Sequence, residues 1–406
     1  MRAPEFDLII LGGGIAGAAL ARAMSAAGDL TLALVEAREL ATGGPAYAAM
    51  QSCSDFDTRV SAITPASQRF LQRLQAWDSI VHARLCPYAQ MKVWDADGTG
   101  EIAFDAAEVD APVLGHIIEN RVINAALLQG LDQRPGMSLI SPERLSGVAV
   151  EDGYVTISLE SGDQLRAGLL VAADGALSRV RHLAQFRTRE WDYGHNALVT
   201  TVETTEDHQG TALQRFLPTG PLAFLPLPGS NGRHFSSVVW SAETAVAEQL
   251  VTLDDEGFQA ALCEAIEYTL GEVKACSPRV AFPLRQRHAV EYVKPGTALV
   301  GDAAHTIHPL AGQGINLGLS DVEALADVIT AAHQRGEALG SLPVLRRYQR
   351  QRKGENLAMM AAMDGFKRLF GNRAPPLRWI RNRGMTWVGR SGPLKHQIMR
   401  HAMGLG

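Results

Sequence analysis

The chain has 406 residues, of which 46% are hydrophobic and 20% charged. That is enough apolar surface to offset chain entropy in two or three folded domains, which excludes disorder as the main state. The net charge of −5 supplies no global basic field for nucleic acid. The four cysteines, Cys53, Cys86, Cys263 and Cys276, form no CxxC and no metal-ligand spacing, which points to a reduced, cytoplasmic setting and not to a disulfide scaffold.

In chain order, Asp7–Leu11 reads as an apolar strand, Ala16–Ala27 as an Ala-rich helix and Thr31–Ala37 as a second strand. Together they make a βαβ opening. The first apolar run is short and passes straight into glycines, so it reads as a strand and not as a signal peptide. Ser67–Trp77 and Arg121–Leu131 have helical spacing. Thr156–Leu159, Gln164–Ala172, Asn196–Glu203, Ala223–Leu227 and Phe235–Trp240 read as strands. Leu253–Leu270 reads as a helix, Thr297–Val300 as a strand and Ser320–His333 as a helix. The chain from Leu342 on is mostly helical, with a break at Pro375–Pro376. No window of about 20 apolar residues is present to span a bilayer. Strand-and-helix units at both ends therefore flank a β-rich middle, as in a discontinuous domain with a second domain inserted.

The first motif is Gly12-x-Gly14-x-x-Gly17. It follows a strand, opens a helix, and has Glu36 some 19 residues past Gly17 at the end of the next strand. Gly12 permits the tight turn, Gly14 lets the backbone approach a pyrophosphate, and Gly17 lets helix and strand pack closely. The helix start offers free N–H groups to phosphate. Glu36 is suited to an adenosine ribose, and the reading gives it no basic partner for a 2′-phosphate. FAD and NAD both fit this motif.

Two more motifs follow: ADGALSRVR at Ala173–Arg181, and GDAAHTIHPLAGQGINLG at Gly301–Gly318. With the N-terminal loop, these resemble the three fingerprints of the class A flavoprotein monooxygenases, the para-hydroxybenzoate-hydroxylase-like class. The runs HPLAGQGINLGLSDVEAL (His308–Leu325) and DTRVSAITPASQRFLQRLQAWDSI (Asp57–Ile80) resemble the ubiquinone-biosynthesis hydroxylases. So do GHIIEN (Gly115–Asn120), WDYGHNALV (Trp191–Val199), GPLAFLPLP (Gly220–Pro228) and AMGL (Ala402–Leu405). The likeness covers essentially the whole chain and is greatest to the hydroxylases of octaprenylphenol and octaprenyl-methoxybenzoquinol rings.

The resemblance implies an α/β chain, α+β overall. It consists of a Rossmann-like FAD-binding domain (1–185, with some substrate-domain strands near 85–115, and 281–345), an inserted β-sheet substrate domain (186–280) and a basic C-terminal helical segment (346–406). It implies FAD as cofactor and NAD(P)H as donor. Asp302 would hydrogen-bond the ribitol beside Gly301, and Arg59 would lie next to the flavin. Pro309, Gly312, Gly314 and Asn316 would form the loop and helix start facing the ring. Asp174 would order loops near FAD, although an aspartate before ALSRVR is equally explained as a helix cap. Many class members carry Arg where this chain has Asn120, which donates a hydrogen bond but no charge. Arg121 either compensates or is a surface residue. His305 and His308 have no third ligand near them, and no metal is expected.

The chemistry implied is hydroxylation of an electron-rich ring of a polyprenylated phenol or benzoquinol by O2 through a flavin C4a-hydroperoxide. No catalytic side chain is assigned, since the cofactor supplies the difficult step. Phe216 and Phe224 are candidates for an apolar substrate wall, against the alternative that they are plain core. The segment Phe366–Gly406 holds nine Lys/Arg and no Asp or Glu. It is a candidate for peripheral contact with the inner face of the cytoplasmic membrane, or with a partner of a biosynthetic complex. Two other functions fit the same motifs: hydroxylation of a small soluble aromatic, and a flavin-bearing scaffold subunit.

Overall fold

The computed structural model describes residues 5–46, 50–98, 100–151, 153–306, 314–371 and 391–404, without the side chains of 366–371. The first sheet is built on five parallel strands in the order Thr297–Leu299, Gln164–Ala172, Phe6–Leu11, Leu32–Val35 and Met137–Ile140. Phe6–Leu11 lies in the middle and is almost wholly buried, as a strand covered on both faces requires. The antiparallel strands Tyr154–Leu159 and Leu145–Glu151 extend this sheet from Gln164–Ala172.

The helix Ile15–Ser25 packs between the sheet and the helices Asn120–Leu128 and Gly314–Gln334, with Ala18, Ala19 and Ala21 all buried. Arg22 on the same helix is also buried. Its guanidinium donates to the carbonyls of Leu74 (2.5 Å) and Gln129 (2.8 Å), at the C-terminal ends of the helices Pro65–Arg73 and Asn120–Leu128. Those carbonyls have no partner within their own helices, so one arginine closes two helix ends.

The second sheet runs in the order His305–Thr306, Val280–Ala289, Thr188–Thr204, Arg233–Glu243, Gly220–Ser230, Thr211–Leu217, Gln90–Asp95 and Glu101–Asp105, with Val273–Cys276 also paired to Thr188–Thr204. It thus reaches past residue 280 at one edge and back to residue 90 at the other. One face is covered by the helices Thr244–Thr252 and Asp255–Ala265, packed on Leu198, Leu222, Val238 and Trp240. The other face presents Leu225, Leu227 and Phe235 to Ala62 and Ile117. These two belong to a small sheet of Val60–Ile63, Gly115–Glu119 and Cys86–Tyr88, which joins the two large sheets.

Several elements differ from the sequence reading. The helix expected over Ser67–Trp77 is two helices, Pro65–Arg73 and Trp77–Ala83, because Gln75 takes φ +56° between them. The helix expected over Leu253–Leu270 spans only Asp255–Ala265, capped by the Asp254 side chain and ended by positive φ at Glu267 and Tyr268. The helix expected at Ser320 starts at Gly314. Beyond it come the helices Leu342–Gly371 and Gly392–Ala402. Pro375–Pro376 lies outside the described residues.

Candidate active site

A cavity of about 710 Å³ opens where the parallel strands of the first sheet end. Ligands of doubly wound sheets bind at these C-terminal strand ends. Four chain segments meet there: Gly13–Ala16, Glu36–Ala41, Ala173 with Gly175, and Val300–Asp302. The helix Asn120–Leu128 and the start of Gly314–Gln334 form further walls.

The three glycines divide their roles as their surroundings dictate. Gly12 has φ +105°, and a Cβ there would lie 2.4 Å from the Ala173 carbonyl oxygen. A Cβ on Gly17 would lie 1.8 Å from the Gly12 oxygen. A Cβ on Gly14 would meet no protein atom within 4 Å, because Gly14 faces the cavity. No side chain caps the helix that begins at Ile15, so its first N–H groups are left for a ligand at the positive end of the helix. Glu36 lines the cavity and accepts from the Gly13 N–H at 2.6 Å and the Arg38 N–H at 3.1 Å. Contrary to the sequence reading, a basic group does stand beside Glu36: Arg38 Nε is 3.9 Å away, on a side chain 91% exposed.

Asp302 also lines the cavity. Its carboxylate is open to the cavity solvent but deeply enclosed, which pushes its pKa up, while His305 and Arg59 pull the other way. Arg59 lines the same space, with its guanidinium 5.8 Å from the centre of the Phe282 ring. Gly301 and Gly314 border the cavity as well, whereas Pro309, Gly312 and His308 lie outside the described residues. Asp174 is turned to its own chain. Its Oδ2 accepts from the N–H groups of Arg179 (2.7 Å) and Val180 (3.2 Å), the first turn of the helix Arg179–Leu183. Its Oδ1 is buried with no hydrogen bond among the described residues, and burial raises its pKa. Asn316 is buried in a different lock: Nδ2 donates to the Ala62 carbonyl (2.7 Å) and Oδ1 accepts from the Thr64 N–H (3.1 Å). It ties the helix start to the small sheet and is not among the cavity walls.

The two phenylalanines separate. Phe224 is packed beneath the helices Thr244–Thr252 and Asp255–Ala265. Phe216 lies on the opposite face, which follows from the two-residue alternation with Ala212, and packs with Val93. Among the polar side chains lining the cavity, sequence reasoning passed over Glu39, Asp57 and Asn124 besides Arg38. Asn124 follows Asn120 by one helical turn, so both face the cavity with Leu128. The Oδ1 of Asn124 is buried without a hydrogen bond among the described residues. Asn120 accepts from the Ser61 hydroxyl at 2.7 Å. Arg121 lines the cavity half-exposed, held by Glu119 at 2.9 Å.

The FAD binding domain family matches residues 117–362, more than half of the chain. The 3-demethoxyubiquinol 3-hydroxylase of Escherichia coli is 40% identical over 399 residues, covering 98% of each protein. The chain belongs to the FAD-dependent ubiquinone-biosynthesis hydroxylases. The ubiquinone hydroxylase UbiL of Rhodospirillum rubrum is 37% identical, covering 98% of this chain and 89% of its own. The human mitochondrial ubiquinone biosynthesis monooxygenase is 34% identical, covering 98% and 92%. Among solved structures, the p-nitrophenol 4-monooxygenase of Pseudomonas putida shares the fold with a TM-score of 0.76 at 19% identity, covering 99% of both chains. A probable FAD-dependent monooxygenase of Pseudomonas aeruginosa does so at 0.75 and 23%, covering 94% and 99%.

The residues present fit the family's cofactor. An elongated dinucleotide needs a glycine floor, an uncapped helix start and a ribose acceptor, and Gly14, Ile15 and Glu36 supply them on one side of the cavity. Asp302 and Arg59 line the same cavity, and the Asn124 Oδ1 there is buried without a hydrogen bond among the described residues. This is an FAD-dependent monooxygenase.

Proposed function

We propose that this chain hydroxylates the aromatic ring of a polyprenylated phenol or benzoquinol intermediate of ubiquinone biosynthesis, with O2 and electrons from NAD(P)H. The observation that supports this most strongly is its full-length similarity to 3-demethoxyubiquinol 3-hydroxylase. FAD, when bound, would supply the redox chemistry, with two electrons from NAD(P)H and one oxygen atom of O2 ending in the ring hydroxyl and the other in water. The chain's own residues bind and orient. Gly14 and the N–H groups after it hold the pyrophosphate, Glu36 the adenosine ribose, and Asp302 the ribitol. Arg59 stands at the flavin end, and Arg121 adds positive charge beside the neutral Asn120. Phe216 is on the sheet face that the small sheet also meets, and we keep it for the substrate wall; Phe224 is core.

The substrate's prenyl chain belongs in a bilayer, and no helix among the described residues is long and apolar enough to cross one. We therefore propose peripheral contact with an anionic membrane surface through the basic segment 366–406. Part of that segment is already docked: Met399 and Met403 pack with Ala106 and Leu114, and Lys395 pairs with Glu108 at 2.5 Å. The test is to delete the gene and identify the quinone intermediate that accumulates. A prenylated ring lacking one hydroxyl supports the reading, and normal ubiquinone with an altered soluble aromatic refutes it.

A further inference from the structure

Behind the loop that carries Asp302 lies a buried polar cluster not assigned so far. Asp321, on the helix Gly314–Gln334, has no exposed surface. Its Oδ2 accepts from the Gly301 N–H at 3.2 Å and lies 2.5 Å from His305 Nε2. Its Oδ1 accepts from Arg352 Nε and from Asn356 Nδ2, both at 3.0 Å. His305, Arg352 and Asn356 are themselves buried. Burial alone would raise the pKa of Asp321; His305, Arg352 and Asn356 more than offset it and hold the carboxyl below its ordinary value.

The geometry of the loop explains where this carboxylate acts. Gly301 has φ +56°, and a Cβ there would sit 3.5 Å from Ala16 and 3.7 Å from the Gly318 backbone. Gly318 precedes Asp321 by three residues, so both lie on one helix face. The helix therefore comes close to the loop at Gly318, and Asp321 takes the loop's N–H group one turn later. Gly301 and His305 are the two points it holds. Asp302 lies between them, with its carboxylate open to the cavity.

We infer that Asp321 is a positioning residue for the flavin: by clamping Gly301 and His305 from behind, it presents Asp302 to the ribitol in one geometry, and through Arg352 and Asn356 it ties the cofactor loop to the helix Leu342–Gly371. The inference rests on the FAD reading of the cavity. It also has an electrostatic consequence. The Asp321–Arg352 pair is buried close to the loop facing the flavin, where a charge is poorly screened. Removing the carboxylate leaves Arg352 paired with the exposed carboxylate of Glu355, which solvent screens, so the buried positive charge near the loop is less well compensated and favours the reduced, negatively charged flavin. Removing the guanidinium does the reverse.

The experiment compares D321N, R352Q, H305A and H305Q with the parent. FAD affinity is measured by fluorescence titration, the reduction potential of bound FAD by dye equilibration, and the melting temperature on the FAD-free protein. D321N is expected to raise the FAD Kd at least tenfold and to shift the potential positive, and R352Q to shift it negative. H305A is expected to weaken FAD at least fivefold, and H305Q, whose amide can still donate to Asp321, to restore it to within about threefold. Potentials that move in the same direction in D321N and R352Q, or not at all, overturn the inference, because a purely structural role predicts no opposition of sign. Should D321N fail to fold, the His305 pair decides: H305A with the parent Kd, or equal losses in H305A and H305Q, overturns it. A parent protein that takes up no FAD refutes the cofactor reading itself, a result distinct from all of these.

Discussion

A valine at Gly14 is expected to leave the fold intact and the site empty, because a Cβ at that position meets no protein atom within 4 Å while the space it enters is that of the pyrophosphate. Circular dichroism and melting temperature should match the parent, and the purified protein should be colourless; a yellow, fully loaded variant counts against the assignment. The same change at Gly17 should instead unfold the turn, since its Cβ would lie 1.8 Å from the Gly12 oxygen. Asp302→Ala removes a carboxylate that opens into the cavity. A lost hydrogen bond to the ribitol costs about 1–3 kcal/mol, so FAD affinity should fall by about one to two decades in a fluorescence titration. Gly12, Gly14, Gly17 and Glu36 were legible because each is imposed by local backbone geometry at a fixed spacing. Asn124 was not, since an asparagine inside a helix carries no signal until the helix is docked and its Oδ1 is left without a partner. Asp174 reads in sequence either as ordering loops near FAD or as a helix cap, and its Oδ2 accepts from the helix start at Arg179; Asn316, read for the loop facing the ring, bonds to Ala62 and Thr64.

The C-terminal helix Gly392–Ala402 shows how an element's role depends on its neighbours. By sequence it is part of a basic stretch; in the structure its Lys395 is buried against Glu108, and Met399 and Met403 fill a small core with Leu114. Lys395→Ala should cost about 1 kcal/mol, the scale of a partly exposed pair, and should raise hydrogen exchange in this helix without changing FAD affinity. Unchanged exchange would mean that the ion pair does not hold the helix down. Gln164–Ala172, whose second half is a continuous buried apolar run, was found with the observed bounds. The helix read over Arg121–Leu131 was overrun where Gly130 takes positive φ and ends at Leu128, and two helices were overrun where a residue other than glycine takes positive φ. Gln75, Glu267 and Tyr268 do so without any turn-forming sequence, because tertiary packing and not local preference sets those turns.

For the whole molecule, stability should fall on acidification through a histidine. His288 is buried and its ring nitrogen lies 3.1 Å from the Tyr292 hydroxyl. Burial, with His305, Lys353 and Arg189 nearby, lowers its pKa from 6.5 to about 4. The unfolded chain takes up this proton near pH 6.5 and the folded chain does not, so the stability is present above pH 6.5 and is lost progressively down to about pH 4. Melting temperature against pH should flatten over that window in His288→Gln, and an unchanged slope would assign the acid sensitivity elsewhere. At the same scale, charge reversal at Arg378, Arg381 and Arg383 should leave FAD loading intact and weaken binding to anionic liposomes. The parent's liposome binding should itself weaken with salt, as screening shortens the reach of these charges to about 8 Å at physiological strength. Binding insensitive to salt would remove the membrane proposal. The sequence by itself determined the dinucleotide-binding turn, because phosphate-binding turns and close helix–strand contacts demand glycine at fixed offsets, while FAD and the family followed from the resemblance carried by all three motifs and the longer runs. Only the tertiary structure decided which polar residues face the cavity and which are spent holding the fold. Asp302 and Asp321 stand 19 positions apart in one motif-rich stretch, and nothing local distinguishes a carboxylate left open to a ligand from one saturated by Gly301, His305, Arg352 and Asn356. That difference arises when the helix Leu342–Gly371 packs behind the loop and fills one side of it with donors.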